Sequence, residues 1–367
     1  MPARFTTLFK TLKAALLTVA LLMTALVVTA MPAMAAEKKT SFRVAWTIYA
    51  GWMPWAYATE HGVIDKWAKK YGIKIEVVQM NDYIESINQF TLGAFDGCGM
   101  TNMDALTIPA ASGIDTTGLI LGDYSNGNDA VVLKDAKSFK DIKGRPVNLV
   151  ELSVSHYLLA RALDKYGMSE RDISVINTSD ADAVATFTTA DVTAAAIWNP
   201  QLKIVLDQTP NAIEVFTSKE IPGEIIDMMA VNTEVLKANP EFGKALVGAW
   251  FETLELMSGD SKTAKEARTF MAEKSGTDLA GYDYQLDQTA LFYTPATAYE
   301  FASDKQVYET MDKVRRFSFD KGLLGEGATS IDAIGMAFTD GSVLGDKQNI
   351  KLRFDTEYVK MAADGKL

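Results

Sequence analysis

The residues best suited to hold a ligand lie in one short stretch, from Trp46 to Trp55. It contains three tryptophans and a tyrosine, at positions 46, 49, 52 and 55. It follows an apolar run that predicts a first β-strand, and it precedes a helix predicted to end at Gly62. Aromatic faces bind flat or cationic groups. The alternative is a packed aromatic core under a loop, but each buried indole N–H then needs a partner.

A second chemical feature is the acidity of the turns predicted at strand ends, which are residues 46–55, 81–85, 101–104, 122–129, 151–155, 198–200 and 222–228. These turns contain no Lys or Arg, and their carboxylates are Asp82, Glu85, Asp104, Asp123, Asp129, Glu151, Glu224 and Asp227. A bound anion would meet like charges, each costing about 4 kcal/mol at 4 Å and an effective dielectric of about 20. The turns therefore favour a cation, or a neutral group rich in N–H donors.

Several of these carboxylates have an alternative role in the backbone. Asp82 and Asp104 stand at predicted helix starts, where side chains commonly cap the helix. The spacing of Asp82 and Glu85 is typical of a cap with its partner. We expect Asp129 and Glu85 to be structural or solvated rather than ligand contacts.

The other acidic residues are harder to explain by capping. Glu151 precedes a helix whose first N–H groups attract an anion, so its carboxylate is expected to neutralise that site from within the protein. Asp123 is either a ligand contact or a hydrogen-bond acceptor at a hinge. Glu224 and Asp227 both approach the same cleft, and one of them is expected to contact the ligand.

Polar donors complete the predicted site. A neutral ligand such as urea also needs a donor for its oxygen, which Asn102, Asn199 or Ser153 can supply. The residues predicted to contact the ligand are Trp46, Tyr49, Trp52, Asp82, Asn102, Asp104, Asp123, Glu151, Ser153, Trp198, Asn199 and Glu224.

The first 35 residues predict a secretory signal peptide. A basic start is followed by the uncharged apolar run 14–30 and by Ala33-Met34-Ala35, a small-x-small cleavage site. The alternative is a retained membrane anchor, for which the apolar run is marginal in length. Cleavage after Ala35 would place the mature protein in the periplasm.

The bulk composition restricts the partners. The whole chain carries a net charge of −11, and the predicted signal peptide contributes only basic residues, so the remainder is still more acidic. This argues against nucleic acid and against anionic membrane surfaces. A single cysteine, Cys98, allows no internal disulfide.

The remaining chain contains two successive units, and each repeats the order strand, turn, helix. This pattern predicts parallel sheets in an α/β protein. We expect two lobes, with residues 36–125 and 229–367 forming lobe I and residues 126–228 forming lobe II. The two crossovers are predicted near residues 123–130 and 227–232. From Thr233 onward the pattern is mostly helical. A cleft that closes about a hinge follows from this layout.

No pattern in the chain indicates catalysis or a bound cofactor. The His and Cys residues have no metal-ligand spacing, and there is no Gly-x-Ser-x-Gly nucleophile elbow. Cys98 lies in a predicted apolar strand, where a thiol is usually inert. We therefore predict a protein with no metal, no cofactor and no enzymatic activity.

The chain resembles the periplasmic substrate-binding proteins of ABC importers, in the nitrate, sulfonate, taurine and thiamine-precursor superfamily. The segments that carry this likeness are 141–145, 153–159, 197–200 and 230–232. It is most similar to the binding proteins associated with urea-carboxylase gene clusters, labelled as urea transporters and linked to guanidine uptake. That narrower likeness rests on residues 101–106, 122–129, 351–354 and 362–367.

The resemblance implies a type II periplasmic binding protein, with two doubly wound sheets and two hinge crossovers. It also implies a monomer that delivers its ligand to an ABC membrane permease. The expected ligand is guanidine, or urea or a short amide. The alternatives are a pyrimidine-type or quaternary-ammonium ligand, a sulfonate or nitrate anion, and an enzyme that makes a pyrimidine precursor, as some members of the superfamily do.

Overall fold

The computed structural model describes residues 38–367, so the predicted signal peptide and its cleavage site lie outside the described residues. The strands are β1 (Ser41–Thr47), β2 (Lys74–Met80), β3 (Gly97–Thr101), β4 (Thr116–Ser125), β5 (Asp129–Lys134), β6 (Pro146–Leu149), β7 (Ser174–Asn177), β8 (Ala194–Trp198), β9 (Ala212–Thr217), β10 (Ile226–Asn232), β11 (Thr289–Leu291), β12 (Gly335–Ala337), β13 (Val343–Leu344) and β14 (Ile350–Phe354).

The α-helices alternate with these strands in the first two thirds of the chain and dominate the last third. They are α1 (Pro54–Glu60), α2 (Val63–Lys70), α3 (Tyr83–Thr91), α4 (Asn102–Ala105), α5 (Val154–Lys165), α6 (Ala183–Phe187), α7 (Gln201–Gln208), α8 (Thr233–Ala238), α9 (Pro240–Met257), α10 (Lys262–Lys274), α11 (Leu279–Asp287), α12 (Pro295–Ser303), α13 (Lys305–Asp320) and α14 (Glu357–Ala363).

The strands form two sheets. The larger has the order β13-β12-β14-β4-β10-β3-β1-β2, with β11 paired to the free part of β4, and the smaller has the order β7-β6-β8-β5-β9. We call the parts of the chain around these sheets the larger and the smaller lobe. The fold class predicted from the sequence, two α/β sheets joined by two crossovers, is confirmed.

The chain crosses between the sheets twice. The first crossover is residues 126–128, between β4 and β5, and the second is residues 218–225, between β9 and β10. The second crossover precedes the segment predicted from the sequence, because residues 227–232 belong to β10 itself. Residues close to both crossovers therefore lie next to the space between the lobes.

Neither sheet is purely parallel, so that part of the sequence-based prediction is wrong. Strand β10 is antiparallel to β3 and β4, and β5 is antiparallel to β8 and β9. Each is the first strand after a crossover, so it starts at the end of its sheet that faces the other lobe. It is therefore antiparallel to neighbouring strands whose carboxyl ends lie at that same end of the sheet.

The last third of the chain contains four short strands that the helical pattern does not indicate. Strands β11 to β14 are two to five residues long and extend the larger sheet. Segments this short contain too few residues to show the periodicity of a strand. Strand β14 is stabilised by its pairing with β4. Within residues 38–367, no helix combines the length and the apolar character needed to cross a membrane.

Candidate functional site

A small cavity lies between the two lobes. The larger lobe and its crossover contribute Thr47, Tyr49, Trp52, Tyr83, Thr101, Ile225 and Asp227, and the smaller lobe contributes Asp129, Val154 and Trp198. None of these residues is more than 9% exposed. The centres of water molecules can occupy about 20 Å³ of the cavity. The cavity therefore accommodates a ligand of only a few heavy atoms.

Four aromatic rings form a connected wall around this space. Tyr49 and Trp52 come from the turn after β1, and their ring centroids lie 5.2 Å apart in an edge-on arrangement. Trp52 lies 5.9 Å from Tyr83, the first residue of α3. Tyr83 in turn contacts Trp198 at the end of β8, also at 5.9 Å. The wall thus continues from one lobe to the other.

Two carboxylates face the cavity from opposite sides. Asp129 begins β5 in the smaller lobe, opposite Trp198 in the sheet register. Burial raises its pKa to about 6, although Ser125 hydrogen-bonds to it. Asp227 begins β10 in the larger sheet, and burial followed by the charges of Asp123 and Asp129 raises its pKa far above the ordinary value.

A third carboxyl group stands directly behind Asp227. Asp123 on β4 is opposite Asp227 in the antiparallel register, so their side chains share a face of the sheet. The Tyr49 hydroxyl donates to Asp123 Oδ1 at 3.2 Å, whereas Oδ2 of Asp123 and Oδ2 of Asp227 have no hydrogen-bond partner. Burial raises the pKa of Asp123 to about 7.

A fourth carboxyl group lies behind the Tyr83 side of the cavity. The Asp104 side chain in α4 accepts hydrogen bonds from the hydroxyls of Tyr83 at 2.6 Å and Thr101 at 2.8 Å, while its Oδ1 has no partner. Burial raises its pKa to about 6, while the hydrogen bonds from Tyr83 and Thr101 act in the opposite direction.

No basic side chain lines the described cavity. The nearby Arg161 and Lys313 are engaged elsewhere, because both bind the carboxylate of Glu224, at 2.8 and 2.7 Å. Tyr157 also donates to Glu224, at 2.6 Å. Burial disfavours the charged form of Glu224, but these hydrogen bonds prevail and lower its pKa. Glu224 is thus compensated, whereas the four aspartates are not.

The predicted ligand residues divide into three groups. Tyr49, Trp52 and Trp198 line the cavity. Buried beside it, without lining it, are Trp46, Asn102, Asp104, Asp123, Ser153 and Asn199. Outside the lining are Asp82, Glu151 and Glu224.

The three residues outside the lining have other roles. Asp82 caps α3 by accepting from the backbone N–H of Glu85 at 2.8 Å, so the predicted cap is confirmed. Glu151 lies exposed in the turn before α5. Glu224 accepts hydrogen bonds from Arg161 and Lys313. All three carboxylates follow predicted strands, but the local turn decides the direction of each side chain.

The buried amides and the hydroxyl beside the cavity are occupied by the backbone. Asn102 accepts from the N–H of Ile226 at 3.1 Å and donates to the carbonyl of Glu224, which fixes the start of β10. Asn199 accepts from the N–H of Lys203. The Ser153 hydroxyl caps α5. They hold the cavity walls in position.

Sequence reasoning missed several lining residues. Asp129 was expected to be structural or solvated, but it is buried and lines the cavity. One of Glu224 and Asp227 is expected from the sequence to contact the ligand, and only Asp227 lies in the lining. Tyr83 was overlooked although it directly follows Asp82 in an acidic turn. An aromatic residue at the first position of a helix at a strand end was the available signal.

Two of the four aromatic rings in residues 46–55 belong to the hydrophobic core. Trp55 is 2% exposed and packs on Trp250 of α9 at 4.8 Å, and Trp46 is buried within β1. The alternative interpretation of the stretch is therefore correct for these two rings. Tyr49 and Trp52, between them in the chain, face the cavity.

Comparison with known proteins places this architecture in a family. The family model described as "NMT1/THI5 like" matches residues 53–264. A binding protein of Brucella abortus is 24% identical over 290 residues, covering 77% of this chain and 83% of that protein. The taurine-binding periplasmic protein of Escherichia coli is 24% identical over 135 residues, covering 35% of this chain and 40% of that protein.

Solved structures agree on the fold. The alkanesulfonate-binding protein SsuA of Xanthomonas axonopodis, bound to MOPS, superimposes with a TM-score of 0.64 at 18% identity, covering 79% of this chain and 96% of that chain. The periplasmic nitrate-binding protein NrtA of Synechocystis gives 0.56 at 15% identity, covering 90% and 99%. The chain belongs to the NMT1/THI5-like family and has the fold of the periplasmic solute-binding proteins.

Proposed function

We propose that this protein is a periplasmic receptor that captures guanidinium between its lobes and delivers it to an ABC importer. The observation that carries the proposal is the set of four buried aspartates at one small cavity whose lining holds no basic residue. Three of their oxygens have no hydrogen-bond partner. Buried carboxylates without partners are costly, and a cation that donates hydrogen bonds relieves that cost.

The same charges argue against an anionic ligand. A sulfonate or nitrate in the cavity would lie beside Asp129 and Asp227, with Asp104 and Asp123 close behind. Each like charge at 4 Å costs about 4 kcal/mol at an effective dielectric of about 20. The sulfonate-binding and nitrate-binding names of the relatives are therefore a poor guide to the ligand of this chain.

The size of the cavity favours a ligand as small as guanidinium. A volume of 20 Å³ corresponds to a sphere of about 1.7 Å radius for atom centres. The three nitrogens of guanidinium lie roughly 1.3 Å from its carbon, the length of a conjugated C–N bond. A quaternary ammonium carrying longer substituents, or a pyrimidine, requires a wider opening of the lobes.

The geometry of the donors also suits a guanidinium ion. Each edge of the ion presents two parallel N–H groups, which match the two oxygens of a carboxylate. Asp129 and Asp227 approach from opposite lobes, so one ion can bridge them. The face of the ion can stack on an aromatic ring such as that of Trp52 or Trp198. Among residues 38–367, no cluster of His, Cys, Asp or Glu has the arrangement of a metal site, so an organic cation fits better than a metal ion.

Urea or a short amide is the second candidate. Urea has the same flat shape and four N–H donors, but its oxygen needs a donor. The lining supplies the hydroxyl of Thr47, because the hydroxyl of Thr101 already donates to Asp104. A neutral ligand leaves the buried carboxylates uncompensated. We therefore expect urea to bind more weakly than guanidinium.

The test is calorimetric titration of the protein lacking residues 1–35 with guanidinium, urea, taurine and nitrate at low salt. Guanidinium is expected to bind, and to lose at least about tenfold in affinity in Asp129→Asn and in Asp227→Asn. Glu151→Gln is the matched control, because it removes an exposed carboxylate and should leave affinity unchanged. Binding of taurine or nitrate with guanidinium silent would contradict the proposal.

A further inference from the structure

The row of residues across the larger sheet behind the cavity contains two carboxyl groups side by side. Thr101 on β3 is opposite Asp227 on β10, and Asp227 is opposite Asp123 on β4. Directly opposed side chains in antiparallel strands have Cβ atoms about 5 Å apart. Asp123 is fully buried and Asp227 is 3% exposed. Two charged carboxylates at this spacing, away from water, repel strongly.

Within residues 38–367, no basic side chain is among the groups that act on this pair. The groups that act on Asp123 or Asp227 are Tyr49 from the turn after β1, Asp129 from β5, Tyr282 from α11 and Tyr293 after β11. All are acidic or neutral. Tyr49 is a single donor, and it accepts a hydrogen bond from Asn128, so its proton points to Asp123.

The unpartnered oxygens of the two carboxyl groups indicate that a hydrogen-bond donor is missing between them. Oδ2 of Asp123 and Oδ2 of Asp227 are both buried without a hydrogen-bond partner. A proton held between the two carboxyl groups would give each group a hydrogen bond and remove one of the two charges. The close approach of Gly51 supports a tightly enclosed pair, because a Cβ at that position would collide with Asp123 Oδ2.

Asp227 lines the cavity and Asp123 does not. A cation in the cavity therefore acts on this pair through Asp227. The cation provides positive charge and N–H donors in place of the shared proton, so both carboxyl groups can ionise.

We infer that Asp123 and Asp227 share one proton in the ligand-free protein and release it to solvent when the cation binds. This inference rests on the function proposed above. In the release step the O–H bond of the pair breaks and the proton passes to the buffer, while both carboxylates remain as acceptors. The raised pKa of Asp123, about 7, agrees with a proton that is held near neutral pH.

The consequence is a receptor whose affinity depends on pH. Guanidinium carries its charge at every pH of interest, so a proton released on binding comes from the protein. Below the pKa of the pair, affinity should rise up to tenfold per pH unit, and it should level off once the pair is already ionised.

The first experiment measures proton release. Guanidinium is titrated calorimetrically at pH 6 in two buffers of different ionisation enthalpy, and the difference in heat gives the protons released. We expect the natural protein to release about one proton more than Asp123→Asn, because Asp129, with a pKa of about 6, contributes to the release in both proteins. Asp123→Asn is expected to release less, because its amide donates permanently the hydrogen that the shared proton provides. Equal heats in both buffers, with guanidinium bound, would overturn the inference.

A second measurement needs no ligand. A carboxylic acid C=O band in the infrared spectrum of the ligand-free protein at pH 7, lost in Asp123→Asn, would establish the shared proton. Absence of the band in the natural protein would overturn it. If guanidinium gives no heat at all, the proposed function fails and release on binding fails with it, while the band still decides separately whether the pair holds a proton.

Discussion

At the scale of single residues, what distinguishes the cavity is which carboxylates have partners. Glu224 is as buried as the aspartates, yet Arg161 and Lys313 neutralise it. Asp227, three residues later, faces the cavity with an unpartnered oxygen. Removing a partnered charge and removing an unpartnered one should therefore have opposite effects on the stability of the ligand-free protein.

We expect Asp227→Asn to stabilise the ligand-free protein, because it replaces a buried carboxyl group that at pH 8 must either hold a proton or repel Asp123 and Asp129. The gain should be on the order of 1 kcal/mol or more in the free energy of unfolding. Thermal unfolding without ligand at pH 8 measures it. Glu224→Gln, the matched control, should destabilise by about 1–2 kcal/mol, because it weakens the hydrogen bonds that this buried carboxylate accepts from Arg161, Lys313 and Tyr157. Equal effects in the two variants would contradict this account.

Gly51 gives a prediction about space rather than charge. A Cβ there would overlap Asp123 Oδ2 and approach the Tyr49 ring at 2.7 Å. We expect Gly51→Ala to cost about 1–3 kcal/mol of stability and to weaken guanidinium binding. Gly99→Ala is the control, since its nearest neighbour would be Trp52 at an ordinary 3.5 Å. Thermal unfolding compares the two, and a Gly51→Ala protein as stable as Gly99→Ala would refute the steric argument.

At the scale of elements, helix caps hold the walls of the cavity. Asp82 caps α3, whose first residue is Tyr83, and Ser153 caps α5, whose first residue is Val154. Both first residues line the cavity. The capping residues therefore position ligand contacts without facing the cavity themselves.

Substitution at Asp82 separates capping from ligand contact. Asp82→Ala should lose about 1 kcal/mol of stability, and Asp82→Asn should lose little, because Asn is an equally good cap. If the charge of Asp82 bound the ligand, Asp82→Asn would weaken guanidinium binding as much as Asp227→Asn does. We expect it to leave affinity within about twofold. Thermal unfolding and calorimetry on the same samples distinguish these outcomes.

At the scale of the whole molecule, the four buried aspartates link stability to pH. Burial raises the pKa of Asp104 and Asp129 to about 6 and that of Asp123 to about 7, above the ordinary value of 3.8. A carboxyl whose pKa is raised by folding favours the folded state when protonated. That contribution is complete below pH 4 and is lost as pH rises through 6 to 7.

We therefore expect the ligand-free protein to lose at least about 2 kcal/mol of stability from these groups between pH 5 and pH 8. Saturating guanidinium should reverse much of this loss, because it compensates the ionised carboxylates. Thermal unfolding at both pH values, with and without guanidinium, gives the comparison. Asp123→Asn should show a flatter profile, and a natural protein that is more stable at pH 8 without ligand would contradict the prediction.

The sequence by itself determined the α/β class, the division into two sheets with two crossovers, and the acidic, aromatic character of the turns that meet between them. These features follow from local patterns: apolar runs, helix caps and the residue types at strand ends. The chain position of Tyr49, Trp52 and Trp198 was enough to predict them as lining residues, because the ends of neighbouring strands converge at one sheet edge.

Only the tertiary structure decided which side chains face the cavity. Trp55 packs on Trp250 of α9, and Trp46 is buried within β1, while Tyr49 and Trp52 face the cavity. Glu224 is neutralised by residues more than 60 positions away in the chain. Asp123 and Asp227, 104 positions apart, become neighbours only when β10 pairs with β4. Such contacts depend on long-range strand register and on packing, and neither is encoded in a local stretch of sequence.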